Sequence, residues 1–295
     1  MLIGEFLALA VAVFWTFTVV FFTDASNEIG SFQVNVNRIL LSGIYYIIFI
    51  FLTGRSFLIN PQQIFLLGIS GIIGLVIGDT FLFKSFITIG PALSMLIMSL
   101  SPIITTILGI FLLKEYLSFG AILGIILTIS GILLVVYKHN DNEENKFKIS
   151  LKGIIFAIIA AFGQSLGFIL SKEAFLISEL DGFVAAFYRI LVSAFAFLII
   201  GIFTKRYKNP INLFKNHRKA FLFTSIGAVT GPFLGISLSL LSLKFTSAGI
   251  SSTIMAIVPI LLLPIQKYYY KENLQLKAII GAIITVLGTT LLFIK

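Results

Sequence analysis

Seven side chains in this 295-residue sequence have the chemistry to hold a polar solute or a proton, and all lie in or beside long apolar stretches: Trp15, Arg38, Asp79, Lys84, Gln164, Tyr188 and Arg189. Asp79, between Gly78 and Thr80, is the one acidic residue well inside such a stretch. An ionisable group near the centre of a bilayer costs about 3 to more than 10 kcal/mol, so its presence asks for a reason. A carboxylate there binds a cationic group or a coupling proton, or pairs with an arginine such as Arg38 or Arg189. Lys84 follows Asp79 by five residues, about 140° around a helix, so the two need not share a face. Catalytic patterns are missing. His139 and His217 fall in polar connections, no HExxH or phosphate-cradling glycine loop occurs, and no second Asp or Ser–His pair is set inside an apolar run. The chain has no cysteine, which excludes disulfides and thiolate metal ligands. Neither a catalytic residue nor a metal or other cofactor is expected.

The elements that must position these side chains follow from composition. Hydrophobic residues make up 58% of the chain and charged residues 11%, against about 25% charged in soluble domains. Hydropathy places ten helical spans near 3–22, 32–53, 63–84, 91–113, 118–138, 151–172, 182–203, 219–243, 248–269 and 274–294. The alternating pattern of an outer-membrane barrel is absent. MLIGEFLALAVAVFWTFTVVFF lacks a basic start and is too long for a signal peptide, so it reads as the first span. Net charge is +9, carried in connections where Lys and Arg orient membrane proteins rather than in a stripe for nucleic acid.

The chain is internally repeated. An offset of 157 places 74–138 over 231–295 without a gap, with Pro102 on Pro259, Lys114 on Lys271, Glu115 on Glu272, Gly124 on Gly281 and Gly131 on Gly288. Between 101 and 138, 13 of 38 positions are identical. An offset of 151 matches Arg38-Ile39-Leu40 with Arg189-Ile190-Leu191. Gln164, deep in span 6, takes the place in the repeat that Trp15 has in span 1. The expected organisation is a first five-helix repeat over 1–138, a charged linker at 139–150 and a second five-helix repeat over 151–295. An odd number of spans per repeat inverts the second relative to the first. That construction recurs in secondary transporters, whose sites lie near the midplane between repeats. Pro102 and Pro259, near the middle of spans 4 and 9, are read as kinks or hinges. Gly68, Gly71, Gly74 and Gly78 are read as a close-packing face of span 3.

The unit PIITTILGIFLLKE followed by LSFGAILGIILTISGILLV, and its copy PILLLPIQKYYYKE then LQLKAIIGAIITVLGTTLLF, resemble the defining unit of the drug/metabolite transporter superfamily. The form is that of its ten-helix EamA-type family: a mid-span Pro, a Glu at the helix end (Glu115, Glu272) and a glycine-spaced span. Trp15 resembles that family's Trp-Gly pair, with Thr16 in place of Gly, and Arg38 and Arg189 resemble its arginines at the start of spans 2 and 7. The resemblance implies an all-α basket of ten transmembrane helices around a central cavity, and export or exchange of amino acids, other metabolites or drugs. The four-helix multidrug branch uses a Glu in mid-span 1, whereas Glu5 sits at the edge here.

The expected function is therefore alternating-access movement of a small polar or amphipathic metabolite across the cell membrane. Export of an amino acid or related compound, the direction the family resemblance implies, is the first reading. A sugar, nucleotide-sugar or drug carrier is the alternative within the fold. A lipid-modifying membrane enzyme would need an acid/base pair that the spans lack. The expected partners are the small solute and the lipid bilayer; monomer and homodimer both remain open. Ten spans put both termini on one side, with five Lys and Arg in the connections there and fourteen opposite, from Lys84 through Lys277. The positive-inside bias then places the termini outside, whereas the family resemblance implies cytoplasmic termini.

Overall fold

The computed structural model describes residues 2–113, 119–137, 148–245 and 254–291, and the described elements are all helical. Among the described residues, six helices are long and apolar enough to cross a membrane: Ile3–Ile29, Ser31–Leu52, Pro61–Ile89, Leu151–Ile177, Gly182–Thr204 and Arg218–Ser239. Shorter apolar helices cover Pro91–Thr105, Ile122–Val135 and Leu276–Leu291. Large apolar side chains such as Phe6, Phe51, Phe195 and Phe203 face outward, while the interior is filled by alanines, aliphatic groups and buried serines and threonines. Such an exterior suits hydrocarbon.

We label the helices α1 (Leu2–Ile29), α2 (Ser31–Leu52), α3 (Pro61–Ser70), α4 (Asp79–Ile89), α5 (Pro91–Met98), α6 (Leu100–Leu113), α7 (Phe119–Tyr137), α8 (Leu151–Ile177), α9 (Gly182–Thr204), α10 (Pro210–Asn216), α11 (Arg218–Ala228), α12 (Ile236–Phe245), α13 (Val258–Tyr268) and α14 (Leu276–Leu291). Their ends follow local chemistry. Asn60 caps α3 in a reciprocal box with Gln63 and Pro61 opens the helix; Ser150 caps α8 and Asp181 caps α9. α1 outruns its hydropathy limit at residue 22 and carries Asp24 and Glu28 before stopping at Gly30, whose φ of 90° suits a residue without a side chain. Hydropathy registers lipid exposure, whereas the helix persists until the backbone is redirected.

Two spans depart from a single regular helix. Between α3 and α4 the residues Gly71–Gly78 form a π-helical stretch, and between α11 and α12 the residues Val229–Gly235 form another. The 157-residue offset superposes these stretches: the Asp79 amide donates to the Gly74 carbonyl, and the Ile236 amide to the Gly231 carbonyl, each five residues back. The expected fourth span is likewise broken, at Ser99, into α5 and α6. Pro102 explains the place, because its ring excludes the carbonyl four residues earlier, that of Met98. Pro259 stands in the first turn of α13, after a turn at 256 and 257. Both prolines thus begin helices and do not bend continuous ones. The expected ninth span starts among residues outside the described set. Glu115 and its neighbour Lys114 also lie outside the described residues.

Glycines set the closest approaches. A Cβ on Gly163 of α8 would sit 2.9 Å from Gly78 Cα and 3.0 Å from the Ile73 carbonyl oxygen, and one on Gly167 would sit 3.1 Å from the Ser70 carbonyl oxygen. In α7 and α14, Gly131 and Gly281 meet, as do Gly124 and Gly288, around Thr128 and Thr285. The interior of a protein is packed too tightly to absorb even one added methyl at such points. Gly163→Ala should lower the thermal midpoint in detergent by several degrees (about 1–3 kcal/mol of overpacking). Gly43→Ala, whose methyl would meet Ile190 Cγ2 at 3.6 Å, should leave it unchanged. Equal midpoints for the two variants would contradict this packing account.

Candidate functional site

The buried polar centre of the molecule is built where α2, α4 and α8 meet beside the first π-helical stretch. Asp79 is the first residue of α4, directly after the widened turn, and its side chain is 7% exposed. One carboxylate oxygen takes an ion-paired hydrogen bond from Arg38 Nη2, and the other accepts from Gln164 Nε2. Gln164 Nε2 also donates to the Gly74 carbonyl oxygen at 3.3 Å, the same carbonyl that receives the Asp79 amide. Arg38 Nε donates to Asn35 Oδ1 at 2.8 Å, and Asn35 Nδ2 donates to Thr80 Oγ1 at 3.2 Å. The Arg38 guanidinium lies between the rings of Phe22 and Phe83, 5.6 and 4.9 Å from their centroids. Charge, hydrogen bonds and aromatic faces together compensate a cation that is almost fully withdrawn from solvent.

Around this cluster the other expected residues take distinct places. Arg189 in α9 is less buried than Arg38 and reaches the π-helical stretch, its Nη2 within 3.3 Å of where a Cβ on Gly74 would be. It interacts with Asp79 and Tyr46 through space without a hydrogen bond to either. Its Nε is buried with no partner. Trp15 packs its indole onto Gly235, at the second π-helical stretch. Asp79 and Gln164 thus stand at one repeat-related junction, and Ile236 and Trp15 at the other. Lys84 lies over the rings of Phe81 and Phe156, at 5.1 and 5.6 Å. Tyr188 is not at the centre: its hydroxyl donates to the Phe57 carbonyl oxygen in the connection before α3. Glu272 is buried after α13 and accepts from Gln266 Nε2 at 2.5 Å. It borders a narrow cavity of about 40 Å³ that Pro259 and Leu93 also line.

Several participants carry a weaker signal in the sequence. Asn35 lies three residues before Arg38, a spacing that puts two side chains on one helix face, and that pattern was available. Tyr46, whose hydroxyl donates to the Pro232 carbonyl oxygen at 2.8 Å and meets Ser237 Oγ at 3.1 Å, joins α2 to the second π-helical stretch. No local pattern announces that contact across 186 residues. At one end of the molecule a second cavity, about 460 Å³, is lined by Asp24, Glu28, Lys219 and Tyr270, among others. Tyr270 donates to Asp24 at 3.1 Å, and burial, then the Asp24 charge, push its phenol above the usual tyrosine range. Burial does the same to Tyr207, which donates to Asn37 Oδ1 at 2.8 Å.

The model of the EamA-like transporter family matches residues 2–137 and again residues 151–294. The chain belongs to the EamA-like transporter family. A relative from Archaeoglobus fulgidus described as an uncharacterized transporter is 23% identical over 293 residues, covering 98% of this chain and 97% of that protein. A crystal structure described only as that of a protein aligns with a TM-score of 0.68 at 18% identity, over 98% of this chain and 95% of the other. That likeness concerns the fold alone. This EamA-family transporter is therefore a multi-pass membrane protein with two EamA repeats, and its family implies a carrier without enzymatic chemistry.

Within such a protein the central cluster can fix a charge balance and offer polar groups to a solute. Among the described residues no group of three or more metal-ligating acids or histidines is gathered. The cluster's energetics can be ranked. Asp79→Asn leaves Arg38 buried without its counter-charge and should cost about 3–5 kcal/mol, whereas Gln164→Leu removes a hydrogen bond to a charged group and should cost about 1.5–3 kcal/mol. Thermal or denaturant unfolding in detergent measures both. A Gln164→Leu variant less stable than Asp79→Asn would show that the ion pair does not dominate.

Proposed function

We propose that this transporter moves a small polar or amphipathic metabolite by alternating access, through ten spans arranged as two inverted five-helix repeats. The first repeat covers 1–138, a linker 139–150 and the second repeat 151–295. The observation that carries the reading is the pairing of elements across the halves. Span 3 (α3 to α4) packs against α8, the first helix of the second half, while span 8 (α11 to α12) packs against α1, the first helix of the chain. Each half thus inserts its interrupted third span against the leading helix of the other, as an inverted repeat with a shared midplane requires. The interruptions fall where the two sets meet, and non-regular backbone inside a membrane is tolerated where it is covered by protein or lines a polar path.

On this reading Asp79, Arg38, Gln164, Arg189 and Trp15 surround the solute path, with Lys84 and Tyr188 nearer its ends, and the breaks at Pro102 and Pro259 act as matched hinges. Glu272, and in the first repeat Glu115, which lies outside the described residues, are the helix-end acids of the repeated motif. An amino acid or related compound, exported across the cell membrane, is the first substrate class to test. Proteoliposome uptake and counterflow with amino acids, sugars, nucleotide sugars and drugs separate the classes. Pro102→Ala and Pro259→Ala should both slow transport to a comparable degree while the protein still inserts; normal rates in both would remove the hinge role.

The excess of Lys and Arg opposite the termini supports termini on the outer side. Because the chain has no cysteine, single cysteines at Asn142 and Asn209 test this in intact cells with an impermeant thiol reagent. Protection of both is expected. Labelling of both from outside would place the termini in the cytoplasm.

A further inference from the structure

Three cations are set within the spans around Asp79, and two of them have close partners. Arg38 has the Asp79 carboxylate, Asn35 and two aromatic faces. Lys84 has the rings of Phe81 and Phe156. Arg189 has neither: no carboxylate among the described residues lies within ion-pair distance of it, its guanidinium makes no hydrogen bond to them, and its Nε is buried. Both oxygens of Asp79 are already engaged, by Arg38 and Gln164.

The repeat shows what Arg189 lacks. The offset of 151 relates Arg38 to Arg189, and that of 157 relates Asp79 to Ile236. In the first half the residue just after the π-helical stretch is the carboxylate that pairs with the span-2 arginine. In the second half the same position, whose backbone N–H likewise donates a hydrogen bond to a carbonyl five residues back, holds an isoleucine. The cation is present in both halves and its internal anion in only one. A cation drawn out of water without an ion pair of its own is unfavourable, and Arg189 keeps more accessible surface than Arg38, open to a ligand. From this asymmetry we infer that Arg189 anchors an oxyanion of the transported solute, a carboxylate or a phosphate, which supplies the charge that Ile236 does not. The inference rests on the transport reading above and narrows its substrate to solutes carrying a negative group. Arginine suits that role because its planar donors match two oxygens at once.

The test uses the full chain in detergent and in proteoliposomes, with lactate, succinate, inorganic phosphate, 3-phosphoglycerate, choline and glucose as probes. Trp15, the one tryptophan, lies against Gly235 beside Ile236 and reports binding by its fluorescence. At least one oxyanion should bind saturably. Arg189→Gln should weaken it by about tenfold or more, with Arg189→Lys weakening it less. The carboxylate and phosphate probes tell the two oxyanion classes apart. Without any ligand, Arg189→Gln should raise the thermal midpoint, since it removes a cation that has no ion pair of its own, whereas Arg38→Gln should lower it. Ile236→Asp should supply the missing anion from inside, leave the protein at least as stable and abolish oxyanion binding. Uptake of choline or glucose with no oxyanion bound would overturn the inference and leave the transport reading intact. An oxyanion bound through Arg189 but never taken up would support the inference and count against that transport reading. Loss of stability in both Arg189→Gln and Ile236→Asp would also overturn it.

Discussion

The interior of this transporter is organised by one electrostatic constraint: the Arg38 side chain is almost entirely withdrawn from solvent, and Asp79 must be beside it. The two side chains are 5% and 7% exposed. At that depth the cost of withdrawing the charges exceeds what a surface pair ever returns, so the pair persists only with further hydrogen bonds and polarisable faces around it. Asn35, Gln164, Phe22 and Phe83 supply these. They come from α1, α2, α4 and α8, so satisfying one cation fixes the mutual placement of four helices.

The backbone is shaped to the same end. A regular helix through Gly71–Gly78 would turn Asp79 to another face; the widened turn advances it toward Arg38 and Gln164 and leaves the Gly74 carbonyl shared between the Asp79 amide and the Gln164 side chain. Gly163 and Gly167 admit that thicker stretch because no Cβ stands in its way. The second half repeats the backbone device without the charge, setting Ile236 and Trp15 where Asp79 and Gln164 would be. The scaffold is thus nearly symmetric and the chemistry is not. Such a difference suits a carrier whose moving parts are equivalent but whose cargo is held from one side.

Much of this is legible in the chain. Ten apolar stretches and the doubled Pro–Lys-Glu–Gly pattern follow from hydropathy and spacing, because lipid leaves few alternatives to a helix, and the family follows from the resemblance that the doubled motif carries. The isolated Asp79 and its two candidate arginines also follow, since charge in an apolar run is conspicuous. Which arginine pairs with Asp79 does not, because Arg38 and Arg189 occupy equivalent positions and the choice depends on which of α2 and α9 packs beside the start of α4. The π-helical stretches are hidden for a related reason: Gly, Ile and Val have no preference sharp enough to mark an inserted residue, and the widened turn is stabilised by packing against a distant helix. Tyr188, next to Arg189 in sequence, lies on a different side of α9, toward Phe57, because successive residues of a helix point in different directions.

The most direct test of the central constraint is a charge exchange, Arg38→Asp combined with Asp79→Arg, followed by thermal unfolding in detergent beside the two single variants. Each single variant buries two like charges together and should fail to give a stable protein. If the pair organises the interior, the exchanged protein should recover a cooperative transition well above either single variant. An exchanged protein no more stable than the single variants would contradict the account and assign the folding of these helices to glycine packing alone.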